Sequence, residues 1–454
     1  MRRWNLSRYA LNISITAALL AGCGGSQPPI GAPGAMPQIA VRSLTASREH
    51  RESLTYQVLH RFNRPADGQA PAAPLIDVNH TLYGTTTAGG KFGNGTVYSI
   101  STSGAEKTLY SFRGGLDDGA VPNAGLVNVK GTLYGTTSFG GATYGSRCLI
   151  TGHQSGCGTV FAITQSGQEK VIYSFTGGPV SGGGDDGSYP VSGLIDVNGT
   201  LYGTTNDGGS GSFGTVYSVG TTGSEKVLHS FSGSGDGAGP AAGLIDVKGT
   251  LYGTTEGGGT AECDCGTVFS ITIAGVEMVL HSFAGSTGDG ERPTSGLIDV
   301  NGTLYGTTSG GGKYGSQPGC GGGCGTVYAI TTTGKESLVY DFTGSEVNDD
   351  GSAPRADLVD MDGALYGTTS EGGEACHDTL CACHFVGGCG TVFSVTTTGA
   401  ETVLHRFTGG TDGALPIAGL LDVNGTLYGT TEHASSYHRH GGPRGPGTVF
   451  ALTP

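Results

Sequence analysis

The sequence is short of the residues and runs that mark several protein classes. Tryptophan occurs once, at Trp4, and charged residues are 13% of the 454-residue chain, about half of the usual ~25%. No apolar run reaches the roughly 20 residues of a membrane-spanning helix, which excludes a polytopic membrane protein. There is no G-x-y period, which excludes collagen, and Ala, Glu, Lys and Leu do not dominate as in a coiled coil.

Catalytic signatures and positive charge are lacking too. No G-x-S-x-G, H-E-x-x-H or Walker-A string occurs, so three common catalytic motifs are absent. Lys and Arg number 23 against 37 Asp and Glu, a formal net charge of −14. Such a surface repels phosphate backbones, and we expect no nucleic-acid partner. The sequence indicates no cofactor.

The N-terminus carries an export signal. Arg2, Arg3 and Arg8 precede a short, mostly apolar stretch that ends in Leu-Ala-Gly-Cys at Cys23. This resembles the bacterial lipoprotein signal, which implies that residues 1–22 are removed and that Cys23 is lipidated. The alternative is an ordinary secretory signal with a chance Cys. Gly24, rather than Asp, follows the Cys, which by the same resemblance favours an outer membrane lipoprotein facing the periplasm or the cell surface.

Residues 23–50 are predicted to be the lipidated Cys and a flexible tether. Residues 24–50 contain four Pro and little apolar periodicity, a composition typical of linkers. The remainder, 51–454, is predicted to be one folded domain.

That domain is a tandem repeat of seven units of about 58 residues. Each unit contains Leu-Tyr-Gly-Thr-Thr, a Gly-Thr-Val strand and a strand typified by VLHSF. The Tyr residues are Tyr83, Tyr134, Tyr202, Tyr252, Tyr305, Tyr366 and Tyr428. Each unit predicts four short strands, and in most units the first two are joined by Asn-Gly or Lys-Gly, which favours a type I′ hairpin.

Two connections in each unit have fixed length and two vary. The loops between Leu-Tyr-Gly-Thr-Thr and Gly-Thr-Val hold 8, 20, 8, 10, 16, 20 and 15 residues. In a four-stranded meander, alternate connections lie at the same end, so the variable loops should share one face. Variation confined to one face is typical of a binding surface.

The chain begins with the last strand of a unit, 53–62, and ends with the first three strands of another. These four strands complete a seventh unit. We therefore predict an all-β seven-bladed β-propeller of four-stranded antiparallel blades, closed by one N-terminal and three C-terminal strands. An open β-solenoid is the alternative, against which the hairpins argue.

Region 51–454 resembles the bacterial GloVer tandem repeat of "choice-of-anchor" proteins, whose unit carries LYGTT…GG…GTVY. The resemblance implies an exported, surface-attached protein, here through Cys23, and implies no particular activity. The unit is also similar to the quinoprotein propeller repeat, but those proteins use Trp in each blade, and Trp4 lies in the signal peptide.

Ten cysteines fall in the variable loops, and in an exported protein they indicate disulfides. They are Cys148, Cys157, Cys263, Cys265, Cys320, Cys324, Cys376, Cys381, Cys383 and Cys389. Cys148–Cys157 and Cys320–Cys324 are the simplest pairs. Cys263 and Cys265 would form a strained ring, so a bridge to another loop or free thiols are alternatives. The sixth loop predicts two bridges with three connectivities, or a zinc site that includes His377 and His384.

Each unit also has an Asp-Gly after the VLHSF strand, which is read first as a turn. The alternative is a ring of carboxylates that binds a cation or ligand, with Asp118, Asp186 and Asp350 as candidates. The last variable loop adds four further binding candidates: His433, Tyr437, His438 and His440. The slot two residues before Phe holds His or Tyr, which indicates packing or hydrogen bonding.

These features favour a monomeric, surface-anchored lipoprotein that binds a glycan, protein or small-molecule ligand through its variable-loop face. The alternative is an extracytoplasmic lyase or hydrolase with a site at the channel mouth, because propeller active sites assemble from several blades. A purely structural envelope protein is the third hypothesis.

Overall fold

The computed structural model describes residues 54–141, 148, 156–177, 186–259, 263–285, 288–314, 322–344, 349–373, 388–433 and 446–454. The predicted signal peptide, Cys23 and the tether lie outside these residues. Residues Glu52–Pro454 form one compact unit.

The fold is a seven-bladed β-propeller, which confirms the predicted fold class. Each blade is a four-stranded antiparallel sheet whose strands we call inner, second, third and outer. The inner strands are Ile76–Val78, Val127–Val129, Ile195–Val197, Ile245–Val247, Ile298–Val300, Val359–Met361 and Leu421–Val423. The second strands are Thr81–Thr86, Thr132–Thr137, Thr200–Thr205, Thr250–Thr255, Thr303–Thr308, Ala364–Thr369 and Thr426–Thr431.

The third strands are Thr96–Ser101, Thr159–Thr164, Thr215–Gly220, Thr267–Thr272, Thr326–Thr331, Thr391–Thr396 and Thr448–Thr453. The outer strands of blades 1 to 6 are Glu106–Ser111, Glu169–Ser174, Glu225–Ser230, Glu277–Ser282, Glu336–Asp341 and Glu401–Arg406. The outer strand of blade 7 is Thr55–Arg61, which pairs antiparallel with Thr448–Thr453. Blade 7 therefore contains one strand from the start of the domain and three from its end.

The glycine of each Leu-Tyr-Gly-Thr-Thr motif makes room for an aromatic ring. Gly84 lies opposite Tyr98 of the third strand, and a Cβ at Gly84 would lie 2.6 Å from the Tyr98 hydroxyl. Gly135 stands in the same relation to Phe161. The motif is thus explained by packing between two strands of one blade.

The hairpins between inner and second strands have the predicted type I′ geometry. Asn198 and Gly199 have φ of 56° and 86°, and both central residues of such a turn need positive φ. The Asp196 carboxylate accepts a hydrogen bond from the Gly199 amide at 2.8 Å. The aspartate of the inner strand therefore stabilises the turn that follows it, and four other blades repeat this bond.

The hydrophobic core lies at the boundaries between blades. The phenylalanine after each outer strand packs edge-on against the third-strand aromatic of the next blade, as Phe112 does against Phe161, with ring centroids 5.1 Å apart. The same contact joins Phe62 to Tyr98 at 5.0 Å. The boundary between blades 7 and 1 is therefore packed like the others.

The two variable connections meet on one face, which we call the loop face. In every blade the chain that enters the inner strand pairs with the chain that leaves the second strand. Three blades form two-residue ladders there: Gly119–Ala120 with Phe139–Gly140, Gly187–Ser188 with Asp207–Gly208, and Gly290–Glu291 with Gly310–Gly311. The other four form single bridges. This layer fixes the base of the loops.

A 3-10 turn forms at Pro65–Asp67. No helix in the described part of the chain has the length and apolarity needed to cross a bilayer.

Candidate functional site

A central cavity of about 560 Å³ is lined by residues of all seven units. The lining comes mainly from the segments that enter the inner strands. In each segment two positions are diagnostic: the residue after a proline, and the residue two places further on. The first position holds Ala72, Asn123, Val191, Ala241, Thr294, Arg355 and Ile417. The second holds Pro74, Gly125, Gly193, Gly243, Gly296, Asp357 and Gly419.

Blade 6 breaks this symmetry because it alone places two charged residues at these positions, Arg355 and Asp357. The Asp357 carboxylate accepts a hydrogen bond from the backbone amide of Gly296, in the neighbouring segment of blade 5. A Cβ at Gly296 would lie 3.0 Å from Asp357 Oδ1, and one at Gly419 would lie 3.4 Å from the Asp357 Cβ. Glycines on both sides therefore leave the space that Asp357 occupies.

The electrostatics of Asp357 suit a functional group. Burial raises the pKa of its carboxyl, and the hydrogen bond from Gly296 only partly opposes that rise. Arg355 acts on a second acid, since its positive charge partly offsets the burial that raises the pKa of Glu371. The cavity thus holds an acid, a cation and neutral polar groups such as Asn123 and Thr294.

A polar groove of about 320 Å³ adjoins the cavity on the loop face. Asn206 and Glu256 line both spaces, so the two are direct neighbours. Phe213 lies in the groove with 43% of its side chain exposed. The groove is completed by Asp207, Ser212, Asp264 and Arg292. An exposed ring beside planar polar groups can bind a ligand that has both an apolar face and hydroxyl groups.

One disulfide shapes this groove. Cys263 is bonded to Cys265, so the predicted ring exists, and the alternatives of a bridge to another loop or free thiols are wrong. Asp264 between them has φ of 57°, and its carboxylate accepts a hydrogen bond from the Gly258 amide. The bridge therefore fixes a carboxylate at the groove.

The other cysteines follow the disulfide prediction where they are described. Cys148 is bonded to Cys157, as predicted. Cys324 and Cys389 are also disulfide-bonded. Their candidate partners Cys320, Cys376, Cys381 and Cys383 lie outside the described residues, and so do His377 and His384 of the zinc alternative.

The three aspartate candidates are buried. The Asp118 carboxylate accepts hydrogen bonds from the Tyr110 hydroxyl at 2.9 Å and from the Arg113 amide at 2.8 Å. Asp186 pairs with Tyr173 at 3.0 Å, and Asp350 with Tyr340 at 2.7 Å. These acids are used within the blades, and we assign them to the structure of the turns.

In three other blades a histidine takes the place of this tyrosine beside the aspartate. His229, His281 and His405 lie 3.2, 3.4 and 3.3 Å from Asp236, Asp289 and Asp412. This confirms that the slot before Phe is a packing and hydrogen-bonding position.

A glutamate from the next blade joins most of these pairs, and we call each trio a boundary cluster. The trios are His60/Asp67/Glu106, Tyr110/Asp118/Glu169, Tyr173/Asp186/Glu225, His229/Asp236/Glu277, His281/Asp289/Glu336 and Tyr340/Asp350/Glu401. At the seventh boundary Tyr56 stands in the glutamate position, beside His405 and Asp412. Burial is the main cause that raises the pKa of Glu106, Glu169, Glu225, Glu277 and Glu401 to about 7.

The last loop is described only at its start. His433 is buried, and its Nε2 lies 3.1 Å from the Glu432 carboxylate. Tyr437, His438 and His440 lie outside the described residues.

Sequence reasoning missed Arg355, Asp357, Asn206 and Glu256. A signal for Asp357 was present, because five of the other six units carry Gly at its position. Nothing local marks Asn206 or Glu256, since their meeting at the cavity depends on ring closure.

Comparison with known protein families supports the repeat. A sequence model described as the Gloeobacter/Verrucomicrobia repeat matches residues 47–149 and 141–381. Among curated protein sequences none matches this chain significantly.

Solved structures match this chain at low identity. A 6-phosphogluconolactonase candidate from Bacteroides uniformis is 14% identical, with a TM-score of 0.45, over 77% of this chain and 88% of that one. The PQQ-bound aldose sugar dehydrogenase of Streptomyces coelicolor is 13% identical, with a TM-score of 0.42, over 88% and 98%. At this distance the likenesses carry no assignment of activity.

Proposed function

This chain belongs to the Gloeobacter/Verrucomicrobia repeat family, and we propose that it is an envelope-anchored propeller that binds a carbohydrate at its loop face. The observation that carries the proposal is the asymmetry of the central cavity. Arg355 and Asp357 stand where other blades place small or neutral residues. A residue that serves only the fold would be expected to follow the repeat, as the turn aspartates do.

The chemistry of the lining favours a neutral, hydroxyl-rich ligand. Asp357, Glu256 and Asn206 offer oxygen acceptors for hydroxyl groups, while Arg355 and Arg292 offer donors. Phe213 offers an exposed ring against which the C–H face of a sugar can pack. Acids and cations both line the two spaces, so a strongly charged ligand of either sign would meet repulsion.

The test measures glycan binding by the purified full chain, first on an array and then by calorimetry with the best ligand. Asp357→Gly installs the residue that blades 2 to 5 and 7 carry, so folding is preserved by design. We expect binding to weaken at least about tenfold, as for the loss of a hydrogen bond to a charged group. Phe213→Ala should weaken binding without altering the cavity.

The matched control is Lys248→Asn, which lies in an inner–second hairpin on the opposite face and installs the residue of the equivalent turns. We expect it to bind like the wild type. If Asp357→Gly leaves the affinity unchanged and Lys248→Asn lowers it, the ligand binds on the face opposite to the loop face, which contradicts the proposal.

An enzyme is the second candidate, and the raised pKa of Asp357 favours it. A carboxyl whose pKa burial raises, in a cavity that an arginine also lines, is suited to general acid or base catalysis, as a lyase or hydrolase requires. Asp357→Asn separates the two functions: loss of sugar turnover with retained binding supports the enzyme, and an absence of turnover in the wild type supports the binding module.

Anchoring is part of the proposal and rests on the Leu-Ala-Gly-Cys sequence at Cys23. Labelled palmitate should enter the wild-type protein in bacterial cells, and the protein should sediment with membranes. Cys23→Ala should abolish both. A Cys23→Ala protein that still sediments and still takes up the label contradicts the lipid anchor.

A further inference from the structure

The boundary cluster between blades 7 and 1 differs from the other six. His60 lies on the outer strand of blade 7, Asp67 on the connection into blade 1, and Glu106 on the outer strand of blade 1. One ligand atom from each lies within 4.8 Å of the other two. Imidazole nitrogen and carboxylate oxygen are ligands that divalent transition metals accept.

Asp67 lacks the backbone hydrogen bond that holds the equivalent aspartate in the other boundary clusters. In the next boundary the Asp118 carboxylate accepts the Arg113 amide at 2.8 Å, and the five later clusters repeat this bond. In this boundary the equivalent amide, of Asn63, donates instead to the Arg61 carbonyl at 2.8 Å. The 3-10 turn Pro65–Asp67, which the other described connections lack, accounts for the different position of the acid.

His60 likewise lacks the contact with an aspartate that the equivalent histidines make. Its Nε2 is enclosed and has no hydrogen-bond partner among the described residues, whereas the same nitrogen of His229, His281 and His405 lies 3.2–3.4 Å from an aspartate. An enclosed polar atom without a partner is costly. In this cluster, therefore, both the ring and the acid remain available to a ligand.

The charges of the cluster favour a cation. Glu106 and Asp67 bring two carboxyl groups to one half-buried site beside the His60 imidazole. Carboxylate oxygens and an imidazole nitrogen together form a ligand set suited to a divalent cation.

We propose that His60, Asp67 and Glu106 bind a divalent transition-metal ion of the Zn²⁺ class, with water completing its coordination. Zinc bonds of about 2.0–2.2 Å place two ligands of one ion roughly 3.3–4.4 Å apart, so small side-chain movements suffice. The ion would join the N-terminal strand of blade 7 to blade 1 and stabilise the closed ring. This proposal is independent of the carbohydrate site.

A second trio, His281, Asp289 and Glu336, also meets within 4.8 Å but is already satisfied. Asp289 accepts hydrogen bonds from the amides of Ala284 and Gly290 at 2.7 and 2.8 Å, and His281 Nε2 lies 3.4 Å from Asp289 Oδ1. A metal would have to displace these bonds, so this trio serves as the internal control.

The experiment titrates Zn²⁺ into the purified full chain after treatment with EDTA, by calorimetry and by thermal unfolding. His60→Tyr installs the ring found in Tyr110, Tyr173 and Tyr340, which the fold accepts at the equivalent position. We expect Zn²⁺ to raise the unfolding temperature of the wild type. His60→Tyr should weaken that binding at least about tenfold and abolish the shift.

His281→Tyr is the matched control and should retain both the binding and the shift. Asp67→Asn keeps the side-chain shape and gives a second route should His60→Tyr not fold. Co²⁺ loaded in place of Zn²⁺ should give visible absorption in the wild type that Asp67→Asn weakens. Zn²⁺ binding and stabilisation that are equal in the wild type, His60→Tyr and Asp67→Asn overturn the proposal.

Discussion

Tyr56 stacks on His405 with the two ring centroids 3.7 Å apart and the planes inclined by 5°. Tyr56 belongs to the N-terminal outer strand of blade 7, and His405 to the outer strand of blade 6. The Tyr56 hydroxyl also donates a hydrogen bond to the Asp412 carbonyl at 3.0 Å. A tyrosine in the place of the glutamate of other boundary clusters therefore attaches the first strand of the domain to blade 6.

Tyr56→Ala should destabilise the domain by roughly 3 kcal/mol, because a large, mostly enclosed ring is removed. The ring also contacts Phe407 and Phe450, with centroids 6.0 and 5.6 Å away. Denaturant unfolding measures the change. Tyr56→Phe keeps the ring and should cost about 1 kcal/mol. Equal losses in the two variants would contradict a role for stacking.

Stability should fall as the pH rises from about 5 to 8. Burial raises the pKa of Glu225 and Glu401 to about 7 in the folded chain, whereas an unfolded glutamate titrates near 4.3. The folded state thus binds more protons between these values, and raising the pH removes that stabilisation. Thermal unfolding across this pH range measures the slope.

Glu225→Gln combined with Glu401→Gln tests the cause of that slope, since neither amide titrates. One oxygen of each glutamate is enclosed without a hydrogen-bond partner in the described structure. The double variant should be less sensitive to pH than the wild type. An unchanged slope would assign the effect to other groups.

Asp357→Asn should stabilise the protein at pH 8 by about 1 kcal/mol, because residues kept for function commonly lower the stability of a fold. Burial raises the pKa of the wild-type carboxyl, so its charged form is disfavoured in the cavity. The amide keeps an oxygen for the Gly296 amide. At pH 4, where the wild-type carboxyl is protonated more, the difference should shrink. Calorimetric unfolding measures the stability of both proteins at each pH. A variant that is less stable than the wild type at pH 8 contradicts this prediction.

Replacing Cys148 and Cys157 by Ala should cost roughly 3 kcal/mol in the chain-entropy account of disulfides. The two cysteines are nine residues apart and are buried in the core between blades 2 and 3. The paired change of Cys263 and Cys265, two residues apart, should cost less because it opens a much smaller loop. Urea unfolding under non-reducing conditions compares them, and the reverse order would contradict the loop-length argument.

Most of the fold was predictable because the same turn and strand motifs recur along the sequence. Gly199 after Asn198 specifies a turn that only positive φ permits, and Gly84 marks a strand that faces an aromatic ring. Seven copies of the Leu-Tyr-Gly-Thr-Thr motif, with a turn sequence before each, leave little freedom in the strand order. Blade 7 was predictable from the same signals, since the N-terminal segment carries an outer strand without the other three.

The candidate site was predictable only in part. The loop face followed from loop lengths. Asp118 was expected first in a turn and second as a ligand, because an Asp-Gly sequence does not reveal that the Tyr110 hydroxyl donates a hydrogen bond to the carboxylate. Asp357 differs from its equivalents in one unit only, and a repeat analysis that seeks agreement passes over such a residue. Asn206 and Glu256 become neighbours of Asp357 through the ring, which no local pattern encodes.

The pairing of Thr55–Arg61 with Thr448–Thr453 also determines when blade 7 can fold during synthesis. Thr55–Arg61 lacks its blade partner Thr448–Thr453 until the last residues have been made, and such long-range pairing is slow because a large loop must close first. Until then its backbone groups are an open edge that other chains can pair with. Synthesis that stops early would leave this edge exposed, so intact translation of the final blade protects the newborn protein from aggregation.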